Sequence, residues 1–237
     1  MSQQPSYPIR CPKCGRTQTV QLYEVLNVQT DPALRDQLMQ NKINTVQCAD
    51  CAFSFRVDKP LLYHDPARGL LVYWVPAPAG AAAAAERQFA DLLLALTQRQ
   101  PPESTLPAVH LVFSRLELVE RIFMLEAGLE ERMIEYVKHL IYLNNRSHVD
   151  PQTKQLLFNA QDSTPENLCF VVQDVASRKL ERLLHYNRKA YEELCVIFRG
   201  AEQAQALRTL FPGPYVSARA VLLQASAEPE SEAAPPG

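Results

Sequence analysis

The sequence lacks a recognisable secretory signal and a membrane span. Residues 1 to 7 are polar and show no basic start followed by an apolar run, and the longest apolar stretch, residues 69 to 85, is interrupted by Pro76 and Pro78. Hydrophobic residues make up 47% of the 237 residues and charged residues 21%, which is typical of a globular protein. We therefore expect a soluble, cytoplasmic protein without a membrane partner.

Cysteines are few, and common catalytic motifs are absent. Six cysteines in 237 residues do not make a disulfide scaffold, and the chain contains no Gly-rich phosphate loop, no GxSxG and no HExxH. His64 precedes Asp65, a pair that resembles an oriented general base, but the dipeptide also opens a turn and we interpret it as structural. Cys169 and Cys195 are isolated, so we interpret them as inert buried thiols.

Two matching cysteine pairs are the strongest motif in the sequence. They are separated by 33 residues, and each has the spacing CxxC, which lets both thiolates face one ion. Two such turns supply the four ligands of a tetrahedral zinc site. Redox-active dithiols, which would need a strand-to-helix context around a single CxxC, and an iron-sulfur cluster are the alternatives. The sequence predicts one structural Zn²⁺ ion bound by Cys11, Cys14, Cys48 and Cys51.

Net charge gives no general attraction to nucleic acid. The formal charge of the chain is −2. Residues 1 to 75 carry eight Lys and Arg against six Asp and Glu, a net of +2, and four thiolates around one divalent cation bring this to about zero. A zinc domain that binds nucleic acid usually has a clearer basic excess, so the charge disfavours that class.

The hydrophobic pattern predicts an α+β protein of four segments. Residues 8–76 form an antiparallel zinc ribbon with a short inserted helix, residues 77–145 a helical connector, and residues 146–224 a C-terminal α+β region. Residues 225–237 are rich in glutamate and proline and should form a disordered acidic tail.

Periodicity and turn residues predict individual elements. Asp31 is the expected N-cap of the inserted helix, with Pro32 as its first residue, and Gly200 is the expected C-cap of a later helix. Gly128 marks a bend or a close crossing inside the longest helix. The predicted helices are 31–41, 81–98, 117–144 and 177–198; the predicted strands are 17–28, 53–57, 70–75, 109–113, 155–159, 168–173 and 215–224.

Distinctive motifs occur at residues 9–15, 27–28, 31–34, 48–51, 60–65 and 121–129. Together they resemble the motifs of the CpXC family of prokaryotic proteins, named for its paired cysteine motifs. The resemblance implies a metal-binding module of bacteria or archaea without an assigned biochemical activity, and it covers roughly residues 8 to 140. The second cysteine pair here lacks the proline often seen in that family.

The sequence favours a non-catalytic interaction protein with a structural zinc ion, acting through protein–protein contacts. An apolar stripe in residues 115–144 is either a core face or a surface for self-association and partner docking. A second class is nucleic-acid binding through the ribbon, and a third is an enzyme with an unrecognised site in the C-terminal region. Binding of nucleic acid would use Arg10, Lys13, Arg16 and Arg56 on phosphates and Phe53 or Phe55 for stacking, although both aromatics alternate as core residues do.

Overall fold

A computed structural model describes residues 1–77, 81–99 and 108–227 of the chain. These residues form seven α-helices and eleven strands in four sheets, which confirms the predicted α+β class. The chain divides into two compact units, Met1–Ile122 and Phe123–Gly237. None of the helices in the described ranges is long and apolar enough to cross a lipid bilayer.

The first unit contains two short hairpins and one larger sheet. In chain order, its elements are β1 (Ser6–Arg10), β2 (Thr17–Gln21), β3 (Val25–Asn27), α1 (Ala33–Met39), β4 (Thr45–Gln47), β5 (Ser54–Arg56), β6 (Leu61–Asp65), β7 (Leu70–Trp74), α2 (Ala82–Arg99), β8 (Val109–Val112) and the start of α3 (Arg115–Glu126). The hairpins β1–β2 and β4–β5 are antiparallel. The larger sheet has the order β3-β6-β7-β8, in which β3–β6 and β7–β8 are parallel and β6–β7 is antiparallel.

The predicted strand 17–28 is wrong, because the structure divides it into β2 and β3. The side chain of Asn44 explains the break. Its Oδ1 accepts from the Tyr23 amide at 2.7 Å and its Nδ2 donates to the Tyr23 carbonyl at 3.0 Å, so a side chain satisfies the backbone groups that a strand neighbour would otherwise bind. The sequence analysis also did not predict β1, which pairs with β2 along its whole length.

The inserted helix is confirmed, with a different first turn. It begins at Ala33 with Pro32 at the N-cap position, and Leu34 and Leu38 are buried as their spacing predicts. Asp31 does not cap it. Its Oδ2 instead accepts from the hydroxyls of Ser2 at 2.6 Å and Thr30 at 3.0 Å, which holds the N-terminal segment beside the helix.

The predicted single helix 117–144 is two helices. Gly128 adopts φ +70°, Leu129 N–H donates to the Met124 carbonyl at 3.1 Å, and Gly128 N–H donates to the Leu125 carbonyl at 3.0 Å. This is a Schellman C-cap, which ends α3 because glycine accepts the left-handed conformation without a side-chain penalty. The next helix, α4 (Glu131–Asn144), belongs to the second unit.

The second unit packs helices against one face of a three-stranded antiparallel sheet. After α4 come β9 (Lys154–Asn159), β10 (Asn167–Asp174), β11 (Leu180–Asn187), α5 (Arg188–Ile197), α6 (Ala201–Leu210) and α7 (Ala218–Ala227), and the strand order is β11-β10-β9. Phe158 and Phe170 meet edge to face in the core, with ring centroids 6.0 Å apart. The Tyr142 hydroxyl accepts from the Leu156 amide and donates to the Lys154 carbonyl, which ties α4 to β9, and burial raises the pKa of Tyr142 to about 12.

Three predictions in the second unit are wrong. The predicted helix 177–198 is β11 followed by α5, and Leu180, Leu183 and Leu184 pair with β10 in a strand. Asn187 begins α5, because its side chain accepts from the Ala190 amide at 3.0 Å. Gly200 is the N-cap of α6, and the predicted strand 215–224 is a coil leading into α7. Residues 225–227 of the predicted tail complete α7, and residues 228–237 lie outside the described residues.

A buried ion pair joins α4 to the start of α7. Lys138 Nζ lies 2.8 Å from Glu135 Oε1, and both side chains are only 5% exposed. The other carboxylate oxygen of Glu135 accepts from the Ala218 amide at 2.9 Å, so one carboxylate both pairs a buried charge and satisfies a donor at the N-terminus of α7.

We predict that Glu135→Gln lowers the free energy of unfolding of the second unit by about 3 to 5 kcal/mol, because it removes the carboxylate charge that lies 2.8 Å from the buried Lys138 ammonium. Urea unfolding measures the loss. Glu193→Gln, which removes one partner of the exposed Lys189–Glu193 pair, is the matched control and should change little. Equal effects of the two substitutions would contradict this assignment.

Candidate metal centre

Each predicted cysteine pair lies at the tip of one antiparallel hairpin. Cys11 and Cys14 belong to the turn between β1 and β2, where Arg10 pairs with Thr17. Cys48 and Cys51 belong to the turn between β4 and β5. The two strand pairs therefore fix the positions of four sulfur atoms that are far apart in sequence.

The two turns have the same backbone hydrogen bonds. In the first, Gly15 N–H donates to the Cys11 carbonyl at 2.9 Å and Cys11 N–H donates to the Arg16 carbonyl at 2.8 Å. In the second, Ala52 N–H donates to the Cys48 carbonyl at 3.0 Å, and Cys48 N–H closes the turn on the Phe53 carbonyl at 2.9 Å. The equivalent positions Gly15 and Ala52 both have positive φ, +77° and +53°, which is unfavourable for alanine by about 1 kcal/mol.

The four sulfur atoms form a compact group. Cys11 Sγ lies 3.7 Å from Cys51 Sγ, Cys14 Sγ lies 3.6 Å from Cys48 Sγ, and all four lie within 4.8 Å of one another. Disulfide sulfur atoms would be about 2.05 Å apart, and all four cysteines are free thiols. A tetrahedral ion with metal–sulfur bonds of about 2.3 Å requires sulfur atoms about 3.8 Å apart, so the donor set fits a metal such as zinc.

Burial differs between the two members of each pair. Cys11 and Cys48, the first members, are 1% and 2% exposed, whereas Cys14 is exposed and Cys51 is partly exposed. The group thus has a buried side and a side that faces solvent, from which an ion can enter.

The electrostatics of the group depend on nearby amides and on the other sulfur atoms. Burial raises the pKa of the Cys11 thiol, but the amides of Cys14 and Lys13 and the neighbouring thiols outweigh burial and bring it down to about 7. The amides of Cys51 and Asp50 likewise lower the pKa of Cys48. Amides that point at sulfur therefore favour the thiolate form that metals bind.

Cys14 shows the opposite effect. The amide of Arg16 lowers the pKa of this thiol, but partial loss of solvation and the other three sulfur atoms raise it, to about 12. The four sulfur atoms therefore resist becoming thiolates together, since each negative charge opposes the next. A divalent cation at their centre would offset this repulsion.

Polar side chains connect the two hairpins beside the cysteines. Gln18 Nε2 donates to the Gln47 carbonyl at 3.0 Å, and Gln18 Oε1 accepts from the Ala49 amide at 2.9 Å. Arg16 and Asp50 form an ion pair at 2.9 Å between the two turns. The sequence analysis missed the role of Gln18, because a single polar residue on a predicted strand carries no pattern that indicates a partner 31 residues away.

Comparison with known proteins places the chain in a family. The family model described as CpXC protein matches residues 9–138, more than half of the chain. The chain belongs to the CpXC family. The resemblance inferred from the cysteine motifs is thus confirmed, and the matched range contains the entire cysteine group of this CpXC protein. No curated protein and no solved structure matches the sequence.

The other candidate side chains lie apart from the cysteine group. His64 and Asp65 are in strand β6, and the turn follows at 66–69 rather than beginning at His64 as predicted. Because neighbours on a strand point to opposite faces, the imidazole and the carboxylate do not face each other, and Asp65 is buried against Arg68 at 2.7 Å. Burial raises the pKa of Cys169 and Cys195. Within the described ranges, Cys11, Cys14, Cys48 and Cys51 form the one group suited to holding a metal.

We predict that Cys11→Ser with Cys14→Ser lowers the metal content of the purified protein from about one ion per chain to about none. Elemental analysis of the desalted protein measures the metal. Cys195→Ala removes a thiol outside the group and is the matched control, with unchanged metal content. Hydrogen exchange of the unmodified protein gives a second measurement. A chelator should abolish amide exchange protection in β1, β2, β4 and β5, while the amides of β10 keep their protection. Metal retained by the double variant would contradict the assignment.

Proposed function

We propose that this CpXC protein is a non-catalytic interaction protein whose first unit is organised by one structural zinc ion, and that it acts through protein–protein contacts. The observation that carries the proposal is the group of four cysteine sulfur atoms within 4.8 Å of one another. Cys11 and Cys14 would hold the ion from one hairpin, and Cys48 and Cys51 from the other. Bound zinc would cross-link the two hairpins and compensate the negative charge of the four thiolates.

The ligand set supports a structural role for the ion. Catalytic zinc sites have three protein ligands and leave a position for water or substrate, whereas structural sites are closed by four. Here the protein offers four thiols with spacings that suit a tetrahedron, and none of the four positions is left for a reacting molecule. Binding free energy at such a site is folding free energy, because the unfolded chain does not hold the ligands together.

The basic residues of the ribbon are engaged within the chain, which disfavours the alternative of nucleic-acid binding. Arg16 pairs with Asp50 at 2.9 Å, and Arg56 pairs with Asp58 at 2.8 Å. Arg10 Nε donates to the Gly15 carbonyl at 3.1 Å. A phosphate would have to compete with two carboxylates and a carbonyl for these basic groups. Once a zinc ion is bound, the first 75 residues have no excess of positive charge that would favour the phosphate.

An aromatic pair beside the cysteines supports a protein partner. Phe53 is the last residue of the second turn and is 39% exposed. Its ring stacks on Phe55 with centroids 6.3 Å apart, and Lys13 Nζ lies 5.8 Å from the Phe53 centroid. Exposed aromatic rings are enriched at protein interfaces relative to the rest of the surface. Because Phe53 and Cys51 share one turn, folding around the ion would also set the position of this surface.

Residues 115–144 are the second surface proposed for self-association or partner docking. Leu118, Ile122 and Val137 from the apolar stripe are buried within the chain. An interface on these helices would therefore use their exposed side chains, and polar substitution of the stripe would test folding rather than docking. Docking through residues 115–144 stays a prediction. Phe53 is exposed, so its substitution tests partner binding more directly.

We predict that Phe53→Ala lowers recovery of partner proteins at least about tenfold when the protein is used as bait in a nuclease-treated lysate of its native host. Quantitative mass spectrometry of the captured proteins measures recovery. Leu94→Ala removes another exposed apolar side chain of the first unit and should leave recovery unchanged. The double variant Cys11→Ser with Cys14→Ser should lose the same partners as Phe53→Ala. Capture that disappears with nuclease, or oligonucleotide binding that weakens steeply with salt, would instead favour the nucleic-acid alternative.

A further inference from the structure

The turn that carries Cys48 satisfies only half of the backbone groups beside this ligand. The two peptide groups that flank Cys48 contain two N–H and two carbonyl groups. Cys48 N–H donates to the Phe53 carbonyl at 2.9 Å, and the Cys48 carbonyl accepts from the Ala52 amide at 3.0 Å. The Gln47 carbonyl and the Ala49 N–H take their partners from the other hairpin.

The side chain of Gln18 supplies both of these partners. Its Nε2 donates to the Gln47 carbonyl at 3.0 Å, and its Oε1 accepts from the Ala49 N–H at 2.9 Å. One side-chain amide thus binds the peptide group before Cys48 and the peptide group after it, as a neighbouring strand would. Gln18 belongs to β2, which pairs with β1 along its whole length, so this amide is attached to the hairpin that carries the other cysteine pair.

The first cysteine turn restrains the equivalent position in a different way. Pro12 follows Cys11 there, whereas Ala49 follows Cys48. The proline ring fixes φ at about −65° and proline has no N–H, so the first turn is restrained at this position and has no donor to satisfy. Alanine has neither property. The second turn therefore needs an outside group to restrain it and to bind its N–H, and Gln18 does both.

An ion pair between the two turns has less influence. Arg16 and Asp50 lie 2.9 Å apart, but their side chains are 60% and 41% exposed. Water and salt screen such a pair, so it contributes little. Gln18, in contrast, is partly buried and binds two backbone groups at once.

We propose that Gln18 is a positioning residue of the metal site: it holds Cys48 in place beside the first hairpin and restrains the second turn as Pro12 restrains the first. Cys48 Sγ lies 3.6 Å from Cys14 Sγ, close to the spacing that a tetrahedral ion requires. Removal of a group that orients metal ligands lowers metal affinity by about 10- to 100-fold. This inference rests on the proposed zinc site and adds a residue that determines its affinity.

The Zn²⁺ affinity of the full-length protein, measured by competition with a chromogenic chelator, gives the direct test. Gln18→Met keeps the length of the side chain but removes both hydrogen bonds, so it should raise the dissociation constant at least about tenfold. Gln21→Met is the matched control, because Gln21 is an exposed glutamine on the opposite face of β2, and it should leave the constant unchanged.

Two failures of this test are distinguishable. An unmodified protein that binds no zinc would contradict the proposed function and this inference with it. An unmodified protein that binds one ion, together with an unchanged affinity of Gln18→Met, would overturn this inference alone.

Substitution of Ala49 separates positioning from a general loss of stability. Ala49→Pro removes the N–H that Gln18 binds and adds the ring that Pro12 has in the first turn, where the backbone hydrogen bonds are the same. In the Ala49→Pro protein, Gln18→Met should raise the dissociation constant by less than about threefold, because the ring already restrains the turn. An equal effect of Gln18→Met in both backgrounds would overturn the proposal.

Hydrogen exchange of the zinc-bound protein supplies a local measurement. The Ala49 amide should be protected, and Gln18→Met should remove this protection. The amides of Gly15 and Ala52 are bonded within their own turns and should stay protected. An unprotected Ala49 amide in the unmodified protein, or loss of protection at all three amides in Gln18→Met, would overturn the proposal.

Discussion

The close approach of four cysteine sulfur atoms is the constraint on which the first unit depends. Two hairpins hold these atoms within 4.8 Å of one another, and the pKa of Cys14 rises to about 12 while that of Cys11 falls to about 7. Such a group is unfavourable as four thiolates and favourable around a divalent cation. The proposed zinc ion would compensate the charge of the thiolates and cross-link the two hairpins.

The second unit is stabilised in a different way. Its core is a layer of helices on one sheet face, with an aromatic contact inside it and with Glu135 of α4 bound to both Lys138 and the first amide of α7. Loss of metal should therefore affect the two units unequally.

Short sequence patterns predicted the features that depend on residues close together in the chain. The CxxC spacing located the cysteine group, and the spacing of Leu34 and Leu38 located α1, because each signal lies within a few residues. The predictions failed where a residue or strand far away in the sequence determines the local structure. The leucines of 177–198 suit a helix and a strand equally, and pairing with β10 selects the strand. Asn44 binds the backbone of Tyr23, between β2 and β3, from 21 residues away, which no local pattern can indicate.

X-ray absorption at the zinc edge of the purified protein tests the central claim most directly, since it reports the atoms bound to the ion. The account predicts zinc surrounded by four sulfur atoms at about 2.3 Å, with no nitrogen or oxygen in the coordination shell. A shell that contains nitrogen or oxygen, or fewer than four sulfur atoms, would contradict a closed structural site built by Cys11, Cys14, Cys48 and Cys51.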